Sequence, residues 1–247
     1  MENRPTLKIL GIDFINSTPE NVVDILKHGG LLVVPAAPAL INIKKDPDYY
    51  QSLLTADVVI PDSGYMALLW NIFHRKKVNR ISGLEFLVSF FKDAEVKASS
   101  DFLLVDPRAT EAQHNLNYLR SEGFNLADDI SYLAPMYKKD HVEDADLLDM
   151  IESKKPKYVI INLGGGTQEK LGAYLRTHLS YTPAIICTGA AIAFLTGQQA
   201  SIPTWGDKFF LGWLFRCIQN PKIYVPRYFK AFQLAAYIFR YGQKQPL

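Results

Sequence analysis

The sequence has few of the residues that mark metal-binding, disulfide-bonded or membrane-spanning proteins. It contains two cysteines and five histidines among 247 residues, and the histidines follow no metal-ligand spacing. The most apolar stretch, residues 183–195, is shorter than the roughly 20 residues that a spanning helix needs. The amino terminus has no apolar signal-peptide region. We therefore expect a cytoplasmic protein that has no disulfide, no cofactor and no metal site.

Two common nucleotide-binding motifs are also missing. No strand-like segment is followed by a GxGxxG fingerprint, which disfavours a dinucleotide-dependent oxidoreductase. The glycine-rich segment Gly164-Gly165-Gly166-Thr167 lacks the Lys-Ser/Thr pair of a P-loop. Its glycines nevertheless permit close approach of a ligand to the backbone just before a helix. The segment therefore predicts a phosphate or sugar-nucleotide site, with a plain tight turn as the alternative.

Short β-branched runs alternate with longer helical patterns along most of the chain. Hydrophobic residues make up 48% of the sequence, enough for one sizeable core. The alternation predicts an α/β fold, with a Rossmann-like parallel sheet and helices on both faces. After a strand-like start at residues 7–11, the predicted strands are residues 31–35, 58–60, 102–105, 130–133, 158–163 and 184–187. The predicted helices are residues 19–27, 38–54, 65–73, 83–91, 110–121, 142–153 and 168–179.

Ligands of such sheets bind beyond the carboxyl ends of the strands, which directs attention to the residues that follow each strand. Asp62 follows one predicted strand and stands just before Gly64, where a helix begins. This places a carboxylate at the mouth of the crevice, although Asp62 could instead cap that helix. Arg80 precedes the next helix and could bind a phosphate through paired hydrogen bonds, a plain surface arginine being the alternative.

Two Asp-x-Asp sequences could indicate a metal-dependent sugar-nucleotide enzyme. Asp46-Pro47-Asp48 lies between helical turns, and Asp144-Ala145-Asp146 lies in an acidic helix. Neither pair follows a strand, and side chains two apart on a helix point to different faces. We interpret both pairs as solvated.

The last part of the chain differs in composition from the rest. Residues 204–247 carry seven Lys or Arg and one acid, which leaves twenty basic and twenty-four acidic residues for the remainder. This segment also has twelve of the thirty aromatic residues. We predict a core of residues 1–203 and a basic, aromatic C-terminal helical appendage of residues 204–247. A helix over residues 226–239 would align Phe229, Phe232, Ala236 and Phe239. Such a surface is suited to bind anionic lipid or nucleic acid. The alternative is an amphipathic helix that packs on its own domain.

In combination these segments resemble the WecG/TagA/CpsF glycosyltransferase family. The resemblance runs from Gly11 to about Tyr228, nearly the whole chain. The motifs that carry it are Asp46-Pro47, residues 56–64 ending in Pro61-Asp62-Ser63-Gly64, Arg80-Ile81-Ser82-Gly83, Gln168-Glu169, Gly197, Pro203-Thr204-Trp205, Trp213 with Arg216, and Pro221 with Arg227-Tyr228. Each motif is modest, and their shared order makes the match specific.

The resemblance implies an inverting, metal-independent transfer of a hexose or N-acetylhexosamine from a UDP-sugar to an undecaprenyl-diphosphate-linked sugar. It gives Asp62 the role of general base, places Arg80 and Gln168 at the donor and acceptor site, and directs Arg216 and Arg227 to the donor diphosphate. Gly64, Gly164 and Gly165 are expected to border the substrates. The implied protein is peripheral on the inner face of the cell membrane, contacts anionic lipid and does not bind nucleic acid. Self-association is left open.

The sequence departs from the family pattern in several places. Residues 34–38 read Val-Pro-Ala-Ala-Pro where the family has Thr-x-Asn, and Ser63 replaces a glycine. Gly165-Gly166-Thr167 stands in place of a Pro-Lys pair, and Val105-Asp106-Pro107 replaces a glycine-rich turn. These changes leave the sugar open between N-acetylmannosamine, its uronic acid and a related hexose. They also leave an alternative function, a non-catalytic sugar-nucleotide-binding partner in a polymer-assembly complex.

Overall fold

The computed structural model describes residues 5–198, 217–218 and 221–246. Within these residues the strands form one eight-stranded sheet. The strands are β1 (Thr6–Ile9), β2 (Ile12–Ile15), β3 (Gly30–Val33), β4 (Val58–Val59), β5 (Phe102–Asp106), β6 (Ser131–Leu133), β7 (Tyr158–Ile161) and β8 (Ala184–Cys187). Their order is β1-β2-β4-β3-β8-β7-β5-β6. The β1–β2 pair is antiparallel, and every other neighbouring pair is parallel.

Helices cover both faces of this sheet, as the sequence predicts. One face carries α2 (Ala37–Leu40), α3 (Pro47–Leu54), α4 (Gly64–His74), α8 (Ala145–Lys154), α9 (Thr167–His178) and α12 (Gln233–Tyr241). The other carries α1 (Pro19–Leu26), α5 (Gly83–Lys92), α6 (Ala94–Ala98), α7 (Ala109–Ser121) and α10 (Ile192–Leu195). Helix α11 (Pro221–Ala231) contacts α2. The prediction of an α/β fold with C-terminal helices is confirmed.

The central strands are apolar on both faces because each face is covered. In β5, Leu103 and Val105 pack toward α8 and α9, and Phe102 and Leu104 pack toward α5 and α7. Such strands appear in the sequence as continuous hydrophobic runs instead of alternating ones. The runs at β3, β5, β7 and β8 were predictable for this reason.

The hairpin at the start of the chain differs from the prediction. Residues 7–11 were expected to form one strand, and the structure has a tight turn between β1 and β2 instead. Leu10 and Gly11 both adopt positive φ, 53° and 81°. Two such residues form the turn type that matches the twist of a hairpin, which Asn-Gly or Asp-Gly usually supplies. Leu-Gly gives no comparable sequence pattern.

The predicted helix over residues 38–54 is wrong, because the chain forms two helices there. Asp46 is the N-cap of α3 and accepts a hydrogen bond from the Tyr49 amide, 2.9 Å, while Pro47 occupies the first helical position. Both residues favour a helix start over a helix interior. The short helix α6 was not predicted, and it begins in the same way at Asp93.

The C-terminal helix α12 is an integral part of the core. Leu234 and Ile238 are both 0% exposed and pack with residues of α4. The chain that follows is tied to the first hairpin, because the Gly242 carbonyl accepts a 2.8 Å hydrogen bond from the Leu10 amide. The division between residues 1–203 and 204–247 stays a prediction, with residues 199–216 outside the described part of the chain.

The predicted stripe of the tail lies on the other side of these helices. Phe229, Phe232, Ala236 and Phe239 are exposed, and the docked side consists of Ala231, Leu234 and Ile238. The single predicted helix over residues 226–239 is also wrong, since α11 ends at Ala231 and α12 begins at Gln233. Helices α11 and α12 therefore dock on the rest of the described chain and still present aromatic rings outward.

We predict that Leu234→Ala lowers the free energy of unfolding by about 2–5 kcal/mol, because it leaves a cavity against α4. The control Phe239→Ala, on the exposed side of the same helix, should change it by roughly 0.5 kcal/mol. Urea denaturation followed by circular dichroism measures both values. Equal losses for the two variants would contradict this assignment of the buried and exposed sides.

Candidate active site

Asp62 occupies the carboxyl end of β4 and points to the start of α5. Its Oδ1 atom accepts a hydrogen bond from the Gly83 amide at 3.0 Å. The neighbouring Ser63 is the N-cap of α4, where its hydroxyl accepts from the Met66 amide at 3.1 Å. The capping alternative for Asp62 is therefore wrong, because Ser63 fills that position and leaves the Asp62 carboxylate half-buried at the crevice.

Arg80 lies directly beside Asp62. Its Nε atom donates a 2.8 Å hydrogen bond to the main-chain carbonyl of Asp62. Helix α5 begins just after it with a capping box between Ser82 and Glu85, so the helix start is rigidly defined. The positive end of the α5 dipole and one arginine thus adjoin the Asp62 carboxylate. Gly64 forms the first turn of α4 next to them and is half-exposed.

The ends of β3 and β8 meet the start of α5 at Gly83. A Cβ atom placed at Gly83 would lie 3.4 Å from Val34 Cγ1 and 3.4 Å from Ala191 Cβ. The start of α5 is thus packed closely against Val34 and Ala191. Val34 belongs to the segment that replaces the family's Thr-x-Asn, and it is 7% exposed. The wall of the crevice is therefore apolar at this point.

Gln168 lines the neighbouring wall, between the ends of β7 and β8. It is 3% exposed, and its Nε2 atom donates to Glu169 Oε1 at 3.2 Å. A Cβ atom placed at Gly189 would lie 3.5 Å from Gln168 Nε2, so the chain after β8 runs directly over this amide. Within the described residues, Gln168 Oε1 has no hydrogen-bond partner.

The glycine segment before α9 is open to solvent. Gly164 and Gly165 are exposed. In the part of the chain that the structure describes, a Cβ atom at Gly164 or Gly166 would meet nothing within 4 Å. A ligand therefore has room to approach this backbone closely.

Glu169, the third residue of α9, caps the start of its own helix, a role that was not predicted from the sequence. It is 0% exposed, and its Oε2 atom accepts a 2.6 Å hydrogen bond from the Gly166 amide. Burial raises the pKa of this carboxyl to about 7. The Glu at the third helical position was the available sequence pattern for such a capping box.

The structure brings the predicted residues to one edge of the sheet in two groups. Asp62, Arg80 and Gly64 follow β4, and Gln168 follows β7 with Gly164 and Gly165. The chain after β8 connects the groups, since it contacts both Gly83 and Gln168. Arg216 lies outside the described residues, and Arg227 belongs to α11 with a side chain that is likewise outside the description. Their predicted roles stay predictions.

The Asp-x-Asp pairs are not solvated throughout, which corrects the sequence interpretation. Asp144 is 7% exposed and accepts hydrogen bonds from the Tyr132 and Tyr137 hydroxyls while it caps α8. Asp46 pairs with Lys170 at 2.9 Å. Each first aspartate thus serves a helix start. Among the residues described, no group of three His, Cys, Asp or Glu side chains converges as a metal site would require.

Comparisons with known proteins identify a family and several relatives. The family model described as "Glycosyl transferase WecG/TagA/CpsF family" matches residues 7–246. Three curated relatives share one name, N-acetylglucosaminyldiphosphoundecaprenol N-acetyl-beta-D-mannosaminyltransferase. The protein of Staphylococcus aureus (strain MRSA252) is 23% identical over 87% of this chain and 85% of its own. That of Bacillus spizizenii (strain ATCC 23059 / NRRL B-14472 / W23) is 23% identical over 94% and 91%. That of Bacillus subtilis (strain 168) is 24% identical over 87% and 84%.

The raised pKa of Glu169 predicts a pH-dependent stability. The folded protein holds this proton up to a pKa of about 7, whereas the usual value is 4.5. The unfolded chain therefore loses the proton first, and the stability contributed by protonated Glu169 is lost as the pH rises from 4.5 through 7. Over this window wild-type protein should lose about 3 kcal/mol more than Glu169→Gln. Urea denaturation of both proteins at pH 5 and pH 8 measures the difference, and parallel pH profiles would contradict it.

Proposed function

Because the chain belongs to the WecG/TagA/CpsF glycosyl transferase family, we propose that it transfers a sugar from a UDP-sugar to a polyprenyl-diphosphate-linked sugar. The reaction inverts the anomeric carbon and needs no metal. The sugar is N-acetylmannosamine, its uronic acid or a related hexose, and the product serves surface-polysaccharide assembly. The name of the three relatives supports N-acetylmannosamine as donor sugar and diphosphoundecaprenol-linked N-acetylglucosamine as acceptor.

The observation that carries this proposal is the environment of Asp62. The Gly83 amide holds its Oδ1 atom, and no described residue hydrogen-bonds to its Oδ2 atom. A direct displacement needs one carboxylate that accepts the proton of the acceptor hydroxyl while the diphosphate departs from the opposite face of the sugar. Asp62 Oδ2 fits this role, because the carboxylate is oriented by the Oδ1 bond and is half-buried at the strand end.

The leaving diphosphate requires positive charge, which the same site provides. Arg80 is held beside Asp62 by its bond to the Asp62 carbonyl. The open glycine segment before α9 allows backbone amides to approach phosphate oxygens. Arg216 and Arg227 are proposed to complete this charge. Such fixed donors can stabilise a departing diphosphate without a metal ion.

We predict that Asp62→Asn lowers the rate of transfer by about 10²–10⁴-fold while the protein stays folded. The assay measures transfer from UDP-N-acetylmannosamine to a short-chain polyprenyl-diphosphate-linked N-acetylglucosamine, in EDTA throughout. Asp48→Asn, on the exposed first turn of α3, is the matched control and should keep wild-type turnover.

Three outcomes of this assay separate the alternatives. Near-normal turnover of Asp62→Asn would remove its role as the base. Turnover that depends on added Mg²⁺ or Mn²⁺ would overturn the metal-free mechanism. Binding of UDP-sugars by the wild type without transfer to any acceptor would favour the non-catalytic partner, for which the apolar Val34 segment is the specific observation.

We further propose that the protein rests on the inner face of the membrane through an aromatic surface. Among the helices that the structure describes, none is both long and apolar enough to cross a bilayer. The aromatic surface consists of Leu68, Ile72 and Phe73 on α4 together with Phe229, Phe232 and Phe239 near α12. Phe229 and Phe239 are 74% and 75% exposed. Its rings form two contacting pairs, with centroids 5.5 Å apart for Phe73 and Phe239 and 6.2 Å apart for Phe229 and Phe232.

Cationic side chains adjoin this surface. Arg75, Lys76 and Lys77 follow α4, and Lys230 and Arg240 lie on the C-terminal helices; all five residues are exposed. Aromatic rings at headgroup level with cations around them suit an anionic leaflet. Each lysine or arginine near such a leaflet contributes about 1 kcal/mol of attraction, which salt weakens.

We predict that Phe229→Ser combined with Phe239→Ser lowers sedimentation with anionic liposomes several-fold without loss of stability, because both rings are exposed. Met136→Ser, which removes a side chain from a residue that is 99% exposed elsewhere on the surface, should bind like wild type. Vesicles of neutral lipid and high salt should each weaken binding of the wild type. Unchanged binding of the double variant would exclude the aromatic surface as the membrane contact.

A further inference from the structure

A second group of polar side chains lies on the same edge of the sheet, away from Asp62. Val105, Ile161 and Cys187 are paired in register across β5, β7 and β8. The residues that follow them, Asp106, Asn162 and Thr188, therefore form a row on the opposite face of the sheet, the face covered by α5, α7 and α10. We call Thr188, Asn162, Asp106 and the adjacent Asn115 of α7 the polar row.

Hydrogen bonds orient the polar row. Asp106 Oδ1 accepts from Asn115 Nδ2 at 2.7 Å and from Asn162 Nδ2 at 2.8 Å. Each amide must turn its nitrogen to the carboxylate, so each oxygen points elsewhere. Asp106 Oδ2, Asn115 Oδ1, Asn162 Oδ1 and Thr188 Oγ1 are buried and have no hydrogen-bond partner among the described residues.

Such a set of unpaired atoms is costly unless a ligand satisfies it. A single buried polar group without a partner already destabilises a fold, and here four lie together. Three of the four can only accept a hydrogen bond, so the missing partner must donate. Burial raises the pKa of the Asp106 carboxyl to about 6, and the nearby Glu111 carboxylate contributes to the rise. The buried Asp106 carboxylate makes the place unsuitable for a phosphate and suitable for hydroxyl groups.

The polar row lies at the carboxyl ends of the strands, where the connections of β5 and β7 leave the sheet on opposite faces. Helix α9 follows β7 on one face and α7 follows β5 on the other, so the chain diverges between these two neighbouring strands. Ligands of α/β sheets bind at such points. Thr188 and Asn162 retain 7% and 8% exposure while Asp106 retains 0%. The row is therefore buried throughout, and its least covered residues lie at β8 and β7.

We propose that the polar row binds the ribose hydroxyls of the donor nucleotide, with Asp106 as the principal acceptor. This inference rests on the proposed function, which places the transferred sugar at Asp62 and the diphosphate near the glycine segment. The row is two to four strand spacings from β4, roughly 10–19 Å along the edge. An extended nucleoside-diphosphate sugar lying on the strand ends would bring its nucleoside there.

The Asp106→Asn substitution tests this inference sharply. The new amide keeps the size of the side chain and one oxygen for the two amide donors, but it turns the unpaired acceptor into a donor. Isothermal titration compares UDP with 2′,3′-dideoxy-UDP. The wild type should bind UDP at least about tenfold more tightly than the dideoxy nucleotide, the size of one hydrogen bond to a charged group. Asp106→Asn should bind the two nucleotides almost equally.

Two further variants keep the result interpretable. Asp101→Asn, at the exposed opposite end of the same strand, should keep the wild-type preference. Thr188→Val removes one hydroxyl at nearly constant volume, and should reduce the preference even if Asp106→Asn fails to fold.

The outcomes separate this inference from the proposed function. Binding of UDP by the wild type without preference for the ribose hydroxyls would overturn the inference and leave the donor proposal intact, the polar row then holding only internal water. If UDP does not bind, the assignment of a UDP-sugar as donor fails. ADP and GDP, each compared with its 2′,3′-dideoxy form, then test whether the polar row binds ribose hydroxyls. A preference that Asp106→Asn and Thr188→Val both retain would also overturn the inference.

Discussion

The parallel pairing of seven neighbouring strands is the constraint on which the functional edge depends. Parallel strands place their carboxyl ends side by side, so residues distant in sequence become neighbours in space. Asp62, Gln168 and Asp106 follow or end three different strands, and only the order β4-β3-β8-β7-β5 puts them along one line. Gly189 adopts a positive φ of 60°, and the chain after β8 passes close to Gln168 at this position.

Charge divides this edge into two regions of different chemistry. Near β4, Arg80 and the start of α5 add positive character around one carboxylate that is partly accessible. Near β5, the Asp106 carboxylate adds negative character in a place closed to solvent. Glu169 lies between the two regions and accepts a hydrogen bond from the Gly166 amide at the start of α9. The exposed backbone of the glycine segment remains accessible to a ligand. An anionic group is thus favoured toward β4 and a neutral hydrogen-bond donor toward β5.

Patterns that depend on burial were predictable from sequence, and patterns that depend on particular contacts were not. The apolar runs of β5, β7 and β8 reveal their burial directly, and Asp62 could be placed at a strand end once β4 was recognised. The Leu10–Gly11 turn was missed because its positive φ angles carry no typical residue pair. The outward position of Phe229 and Phe239 could not be predicted either. Both sides of the tail helices are apolar, and only packing on α4 shows that Leu234 and Ile238 are the docked residues.

Helix α4 links the two surfaces on which the proposed reaction depends. It begins at Gly64, next to Asp62, and ends at His74, beside the exposed Phe73. Tyr65 in its first turn contacts Phe232 of the aromatic surface at 5.8 Å between ring centroids. Tyr65, within one helical turn of the proposed base (about 5 Å along the axis), therefore connects Asp62 to the aromatic surface. A lipid-linked acceptor has its diphosphate at headgroup level and its sugar just above. A protein that rests on this aromatic surface would hold Asp62 at the height of that sugar, so the acceptor would not have to leave the bilayer to react.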